Sequence, residues 1–271
     1  MAKKIPKNSV EEIVKKSGNS FHYQVVNFLR SYGWTVSISP YYNDNLTDKP
    51  REIDIIAERG FDAQIFGQSK GTVNVKLFIE CKYINTDIVF WFDSVNKESL
   101  VKRMMDDTGL QSPSTNVMIN EHRFMAVNSV AKLFASKVDK LQENEIIYKA
   151  LNQSLNAMVY YKNSSTIIPK NASRVQKILK TLNYPVIICN DFSRLHKVDF
   201  GTEDQPQTIT DNFQLEVNYA YFNKDKMNIS EYFIIDVVSF EKLKDFLSEI
   251  ENKEVKVVSE AVAFEQHQNQ K

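Results

Sequence analysis

The chain has 271 residues, of which 42% are hydrophobic and 25% are charged, a balance typical of a folded globular protein with a large core. The chain has 34 basic residues (lysine and arginine) and 34 acidic residues (aspartate and glutamate), so its net charge is zero. It therefore has no overall positive charge that would attract nucleic acid, although a local basic groove is compatible with this balance. No apolar run approaches the ~18 residues of a membrane span, and the lysine-bearing start lacks an apolar signal region, so we expect a cytoplasmic protein that does not enter a membrane.

Hydrophobic periodicity predicts an α/β chain in which a helix is followed by three strands. The helix begins at Ser20, a residue type common at helix N-caps, and ends at Gly33, a residue type suited to a helix C-terminus. The elements expected in the first half are a short helix at 10–16, a helix at 20–32, strands at 34–39, 51–58, 73–83 and 88–92, a helix at 97–105, a strand at 124–127, and helices at 130–137 and 145–161. Those expected in the second half are a helix at 173–182, strands at 186–189, 213–222 and 232–238, and an amphipathic helix at 240–250.

These elements are expected to form one core with an extension. No Gly- or Pro-rich linker divides the halves, so we expect the second half to extend the same sheet or to dock tightly beside it. The expected organisation is a polar N-terminal segment at 1–17, a core at 18–162, an α/β extension packed on that core at 163–258, and a disordered tail at 259–271.

Several residues of metal-binding or redox type lack a recognised motif. Cys81 and Cys189 lie on separate predicted strands with apolar neighbours, which favours buried thiols over a disulfide. Asp191, His196 and Asp199 fall in a predicted loop without a known metal-ligand spacing, so we interpret them as structural.

Two predicted strands carry charged residues on one face. In the strand at 73–83 apolar and polar residues alternate, which is typical of a half-buried strand and puts Glu80 and Lys82 on the same face. In the strand at 51–58, Asp54 lies on the polar face. If the two strands pair, Asp54 lies beside Glu80 and Lys82.

Two carboxylates and an amine in this arrangement are suited to phosphodiester hydrolysis. Carboxylate oxygens bind hard cations such as Mg²⁺, which retain water and bind phosphate oxygens, and the backbone carbonyl of Cys81 can complete the coordination shell. A bound ion acidifies water, polarises the phosphoryl group and stabilises the leaving oxygen. The amine of Lys82 can orient or deprotonate the attacking water. We therefore expect Asp54, Glu80 and Lys82 to act with Mg²⁺, for which Mn²⁺ can substitute.

Asp54 followed after a hairpin by Glu80-Cys81-Lys82 resembles the PD-(D/E)xK signature of restriction-endonuclease-like nucleases. That superfamily includes type II restriction enzymes and archaeal Holliday-junction resolvases. The resemblance implies a restriction-endonuclease-like core with a mixed central sheet flanked by helices, in which Asp54 and Glu80 bind Mg²⁺ and Lys82 positions the hydrolytic water. The residue before Asp54 is Ile53, whereas the family signature has proline there. Many members of the family also lack this proline.

The first helix departs from the family pattern. Many relatives carry a glutamate there beside an aromatic residue, whereas Phe21 is followed here by His22, Tyr23 and Gln24. If the resemblance holds, His22 or Gln24 replaces that glutamate as a ligand that binds the metal through water, or the ligand position is empty. The simpler interpretation is that His22 is a surface histidine. Gln153, on the long helix at 145–161, resembles a glutamine that faces the catalytic strands in some related nucleases, although a solvated glutamine is the ordinary interpretation.

A basic helix face is predicted in the second half. Arg174, Lys177 and Lys180 lie opposite the apolar residues of the helix at 173–182. Such a face can bind phosphates, although most basic helix faces are merely solvated.

Our leading hypothesis is a Mg²⁺-dependent endonuclease that cuts DNA, with a role in restriction or antiviral defence by analogy. The alternative is a non-catalytic binding or scaffold subunit that keeps the nuclease fold within a larger complex. Zero net charge, the missing acid on the first helix and the long second half without motifs favour that alternative. RNA is a weaker candidate substrate, and a homodimer or a partner protein is expected only by analogy.

Overall fold

The computed structural model describes residues 18–65, 68–108, 120–136, 145–162, 178–202, 205–223 and 226–268. The strands within these residues are β1 (Thr35–Ile38), β2 (Tyr41–Asn43), β3 (Pro50–Glu52), β4 (Ile55–Ile65), β5 (Gln68–Lys82), β6 (Ile88–Ser94), β7 (Ser129–Ala135), β8 (Ile178–Cys189), β9 (Leu195–Asp199), β10 (Gln207–Thr208), β11 (Phe213–Phe222) and β12 (Asn228–Ser239). The helices are α1 (Asn19–Ser31), α2 (Lys97–Thr108), α3 (Ile146–Tyr161), α4 (Leu243–Glu249) and α5 (Lys256–Gln268), with 3₁₀ turns at Arg123–Ala126 and Phe240–Lys242 and a π-helical segment at Ile250–Val255.

Ten strands form one mixed sheet in the order β1-β4-β5-β8-β12-β11-β7-β6-β9-β10, and β2 and β3 form a separate hairpin. Strands β1, β4 and β5 are antiparallel, whereas β8 runs parallel to both β5 and β12. The expected mixed central sheet flanked by helices is confirmed. Within the described residues, no helix is both long and apolar enough to cross a membrane.

Two hydrophobic cores lie on opposite faces of the sheet. Helices α1, α2, α4 and α5 pack on one face, and α3 packs on the other. Helix α1 buries Val25 and Leu29, which lie one turn apart on its apolar stripe. Gly33 follows the helix at a φ of 79°, in the left-handed region that favours glycine, so the predicted stop is confirmed. The N-cap of this helix is Gly18 and not Ser20, so the helix starts earlier than expected.

Strand β5 is buried on both faces, and the expectation of a half-buried strand was wrong. It lies between β4 and β8, so Leu77 on one face and Phe78 on the other are both inaccessible. Polar residues on the second face are buried with Phe78 and need charged partners. Lys76 accordingly forms an ion pair with Glu58, with 2.9 Å between Nζ and Oε1.

The second half of the chain lies in the middle of the sheet. Strands β8, β12 and β11 stand between β5 and β7. The expected division between 18–162 and 163–258 therefore does not mark a break between packed units, because the sheet continues through it. Cys81 and Cys189, on the neighbouring strands β5 and β8, are both free thiols; Cys189 is buried as expected, whereas Cys81 is half-buried.

Two predictions around residue 125 were wrong. The expected strand at 124–127 is the 3₁₀ turn Arg123–Ala126, where the buried guanidinium of Arg123 holds the chain by ion pairs. The expected helix at 130–137 is strand β7 up to Ala135, since pairing with β6 and β11 outweighs local helix propensity.

Two predictions in the second half also need correction. The expected helix at 173–182 is strand β8 from Ile178 onward, so Lys180 lies beside Val73 of β5 and not on a helix face. Arg174 and Lys177 lie outside the described residues, as do the segment at 1–17 and its short helix. The expected disordered tail is helix α5 as far as Gln268, because Val258 and its neighbours pack in the core next to β4.

Candidate functional site

A bend before β4 places Asp54. The predicted strand at 51–58 is interrupted there, so that Ile53 packs in the core beneath α3 and Ile55 packs in the opposite core. The carbonyl oxygen of Asp54 accepts a 2.9 Å hydrogen bond from the N–H of Ser39, and the N–H of Ile53 donates to Pro40 at 3.2 Å. These bonds hold the bend against the segment that follows β1.

Asp54, Glu80 and Lys82 lie in one cluster. The Nζ atom of Lys82 is 2.6 Å from Oε2 of Glu80 and 3.9 Å from Oδ2 of Asp54. The backbone N–H of Asp54 also donates to Oε1 of Glu80, with 3.3 Å between nitrogen and oxygen. The ammonium group is therefore the counter-ion of both carboxylates.

Strand β5 runs past the start of β4, which leaves the backbone of Cys81 available to this cluster. Pairing between β4 and β5 ends at Ile55 and Ile79, whereas pairing between β5 and β8 continues to Lys82. The N–H of Cys81 donates to Oδ2 of Asp54 at 2.7 Å. Because the N–H and C=O of one strand residue point to the same side, the Cys81 carbonyl also faces the β4 side of β5.

Burial shapes the ionisation of the cluster. Glu80 is 0% exposed, and this burial, together with the charge of Asp54, raises the pKa of Glu80 to about 7 against the opposing effect of Lys82. Burial alone would lower the pKa of Lys82, but the charges of Glu80 and Asp54 outweigh it and raise that pKa. Lys82 is therefore an ammonium near neutral pH, a form that can orient water and stabilise negative charge but cannot accept a proton.

His22 and Gln153 contact the backbone of the segment that carries Asp54. The Nε2 atom of His22 is 2.9 Å from the carbonyl oxygen of Asp54, and since a carbonyl only accepts, Nε2 carries the proton of this bond. Gln153 donates to the carbonyl of Glu52 at 3.2 Å. Gln24 lies on the exposed side of α1. His22 and Gln153 thus position the bend.

Tyr42 is a neighbour of the cluster that sequence reasoning missed. Its side chain is buried, and burial followed by the charges of Glu80 and Asp44 raises the pKa of its hydroxyl above the usual value. The β2–β3 hairpin brings it there, between the expected strands at 34–39 and 51–58, where the sequence predicted no element. The adjacent pair Tyr41-Tyr42 was the available signal.

The other residues of metal-binding type make separate local contacts. Asp191 accepts a 2.9 Å hydrogen bond from the N–H of Ser193, as a turn-forming aspartate does. His196 and Asp199 lie on strand β9 and not in the expected loop, and Nε2 of His196 is 3.2 Å from the carboxylate of Asp87. These contacts agree with the structural interpretation of Asp191 and His196.

The donor set of the cluster fits one hard cation. Among the described residues, no group of three or more His, Cys, Asp and Glu side chains is placed to hold a metal. Asp54 and Glu80 supply two carboxylates, and the carbonyl of Cys81 faces the same side of β5. Mg²⁺ is commonly bound by one or two carboxylates with water and phosphate oxygens completing the shell, so this set suits Mg²⁺.

No protein-family model matches the chain, and no curated protein or solved structure matches it at a significant level.

Proposed function

We propose that the chain is a Mg²⁺-dependent endonuclease that hydrolyses DNA phosphodiester bonds. The observation that supports the proposal is the convergence of Asp54, Glu80 and Lys82, with Lys82 Nζ within 3.9 Å of both carboxylates. The three groups come from two chain segments that meet where β4 begins and β5 continues past it. The part of β5 beyond β4 leaves backbone groups open beside the charged side chains.

Each residue has a role that follows from its contacts. Asp54, Glu80 and the carbonyl of Cys81 would hold Mg²⁺, or Mn²⁺ in its place. Bound there, the ion supplies an acidified water and a polarised phosphoryl group. Lys82 orients the attacking water and offsets the charge that develops on the phosphate. The N–H of Cys81 fixes the orientation of the Asp54 carboxylate before substrate binds.

The restriction-endonuclease-like core belongs to the same proposal. The order α1, β1, β4, β5, with the three strands paired antiparallel, supports it. A cytoplasmic role in restriction or antiviral defence, and a homodimer that cuts both strands, rest on the family resemblance alone.

A non-catalytic binding or scaffold subunit is the second candidate. One contact favours it: Glu80 is buried and already paired with Lys82 at 2.6 Å, as in a purely structural ion pair. Calorimetric titration with Mn²⁺ separates the candidates. The endonuclease proposal requires binding heat that disappears in Asp54→Asn and Glu80→Gln, and a scaffold requires none.

Cleavage of single-stranded DNA and of supercoiled and linear duplex DNA tests the proposal directly. With Mg²⁺ present, we expect Asp54→Asn and Lys82→Ala to lose at least about 100-fold in rate, because each removes several kcal/mol of charge stabilisation. Asp62→Asn on the exposed part of β4 and Lys102→Ala on α2 are matched controls that should cut normally. Undiminished nicking by Asp54→Asn would refute the proposal.

A further inference from the structure

Exposed tyrosines lie together beside the cluster. Tyr41 is 65% exposed and Tyr160 is 45% exposed. The rings of Tyr160 and Tyr161 meet edge to face with centroids 4.8 Å apart, and the hydroxyl of Tyr161 donates to the carbonyl of Tyr41. We define the tyrosine surface as the side chains of Tyr41, Tyr160 and Tyr161.

The buried side chain of Tyr42 lies between the tyrosine surface and Glu80. The ring of Tyr42 lies 6.4 Å from that of Tyr160 and is buried in the same core as Phe78, two residues before Glu80. The backbone of Tyr41 pairs with that of Glu52, which lies two residues before Asp54. A strand of nucleic acid whose phosphate reached Asp54, the partly exposed carboxylate of the cluster, would therefore have its neighbouring nucleotides near these rings.

Two exposed basic residues, Lys49 and Arg51, lie in the β2–β3 hairpin beside the tyrosine surface. Tight duplex binding depends on several lysines and arginines that neutralise phosphates. Arg51 lies opposite Tyr42 in the β2–β3 hairpin, and its side chain is 53% exposed with Asp44 3.9 Å away. It offers one phosphate contact at the edge of the tyrosine surface.

We infer that the site acts on single-stranded nucleic acid, whose unpaired bases stack on Tyr41 and Tyr160. This inference rests on the proposed function and names its substrate class. Base–aromatic stacking tolerates any sequence because every base has a π-face, and in a duplex those faces are covered by neighbouring base pairs. Exposed rings next to the carboxylates thus suit unpaired bases.

Equilibrium binding of the full-length chain in EDTA tests the inference without catalysis. The probes are labelled oligo(dT), oligo(rU) and a DNA duplex of equal length, followed by fluorescence anisotropy. We expect at least one of the two single strands to bind about tenfold tighter than the duplex. Tyr41→Leu and Tyr160→Leu should each weaken that binding at least about fivefold, the effect of losing one stacked base.

Two kinds of variant separate stacking from misfolding. Tyr41→Phe and Tyr160→Phe keep the ring and should bind like the original chain. Phe200 follows β9 at the far side of the sheet and is 47% exposed. Phe200→Leu removes this exposed ring and should also leave binding unchanged. The comparison of oligo(dT) with oligo(rU) identifies DNA or RNA as the source of the unpaired bases.

The outcomes distinguish this inference from the proposed function. Duplex binding as tight as single-strand binding, absence of binding to either single strand, or unchanged binding by both leucine variants would overturn the inference. Single-strand binding that depends on Tyr41 and Tyr160, without cleavage in Mg²⁺ or Mn²⁺, would support the inference and leave the endonuclease proposal as the part that failed.

Discussion

The backbone N–H of Cys81 donates a 2.7 Å hydrogen bond to the carboxylate of Asp54. This bond joins the bend before β4 to the end of β5, two segments that lie far apart in sequence. Together with the 3.3 Å bond from the N–H of Asp54 to Glu80, it makes the two acidic residues hold each other's segments in place. The carboxylates are therefore preorganised by the backbone, which is the arrangement that electrostatic catalysis requires.

Substitutions of Asp54 should separate its structural and chemical roles. The oxygen of asparagine can still accept the N–H of Cys81, whereas alanine cannot, so Asp54→Ala should lower the free energy of unfolding by about 1–2 kcal/mol relative to Asp54→Asn. Both should lose DNA cleavage, because both lack the carboxylate charge. Urea unfolding and a nicking assay on the same preparations measure the two effects. Equal stability of the variants would show that this hydrogen bond contributes little to folding.

The raised pKa of Glu80 predicts a pH-dependent stability. Because that pKa lies at about 7 and above its unfolded value, the contribution of Glu80 is fully present below about pH 4.5 and is lost as pH rises through 7. The original chain should therefore lose stability relative to Glu80→Gln between pH 5 and pH 8, by an amount on the order of 2–3 kcal/mol. Guanidinium unfolding across this range measures the difference. A difference between the two proteins that does not change with pH would contradict the prediction.

Mg²⁺ should stabilise the chain more at high pH than at low pH. Glu80 must lose its proton to bind a cation, and a ligand that binds only the folded chain raises its melting temperature. We expect saturating Mg²⁺ to raise Tm by a few degrees at pH 8 and by less at pH 6. The double variant Asp54→Asn, Glu80→Gln is the control and should show no shift at either pH. The same shift in that variant would place the Mg²⁺ elsewhere on the chain.

His22 is expected to act as a positioning residue. Its Nε2–H donates to the carbonyl of Asp54, so His22→Ala should loosen the bend and lower the cleavage rate about 10-fold, in the range for residues that orient ligands. Glutamine can supply an N–H donor in its place, and His22→Gln should recover part of the rate. The affinity for Mn²⁺, measured by calorimetry, should change less than the rate does. A loss of Mn²⁺ affinity as large as that of Glu80→Gln would instead make His22 a metal ligand.

Local patterns predicted the parts of the fold that depend on near neighbours. Gly33 and the apolar stripe before it marked the first helix, and the alternation around Glu80 marked a strand. The candidate site was predictable only from the tripeptide Glu80-Cys81-Lys82 and from Asp54, which come close together only because β4 pairs with β5. Pairing between strands far apart in sequence has no local signature, so the insertion of β8 beside β5 and the position of Tyr42 against Glu80 were missed.

The buried cluster around Arg123 was also not predictable from local patterns. Its loss should have a large effect on stability. Its guanidinium makes two hydrogen bonds to Asp236, of 2.7 and 2.8 Å, and a third to Glu254 in the π-helical segment. Arg123→Ala would leave the buried carboxylate of Asp236 without its cation and that of Glu254 with His122 in place of Arg123, and it should lower the free energy of unfolding by about 3–5 kcal/mol. The matched control is Lys102→Ala, which removes an exposed cation paired with Asp106 and should cost less than about 1 kcal/mol.

Acid should weaken the same cluster. Burial opposes ionisation of Glu254, but Arg123 and His122 outweigh it and lower the pKa of Glu254 to about 2. Since this pKa lies below the unfolded value, the contribution of Glu254 is present above about pH 4.5 and is lost as pH falls toward 2. Glu254→Gln should therefore lose less stability than the original chain on acidification through this range. Urea unfolding followed by circular dichroism at pH 5 and pH 3 checks the difference, and parallel losses in the two proteins would show that the ion pair with Arg123 is not the source of acid sensitivity.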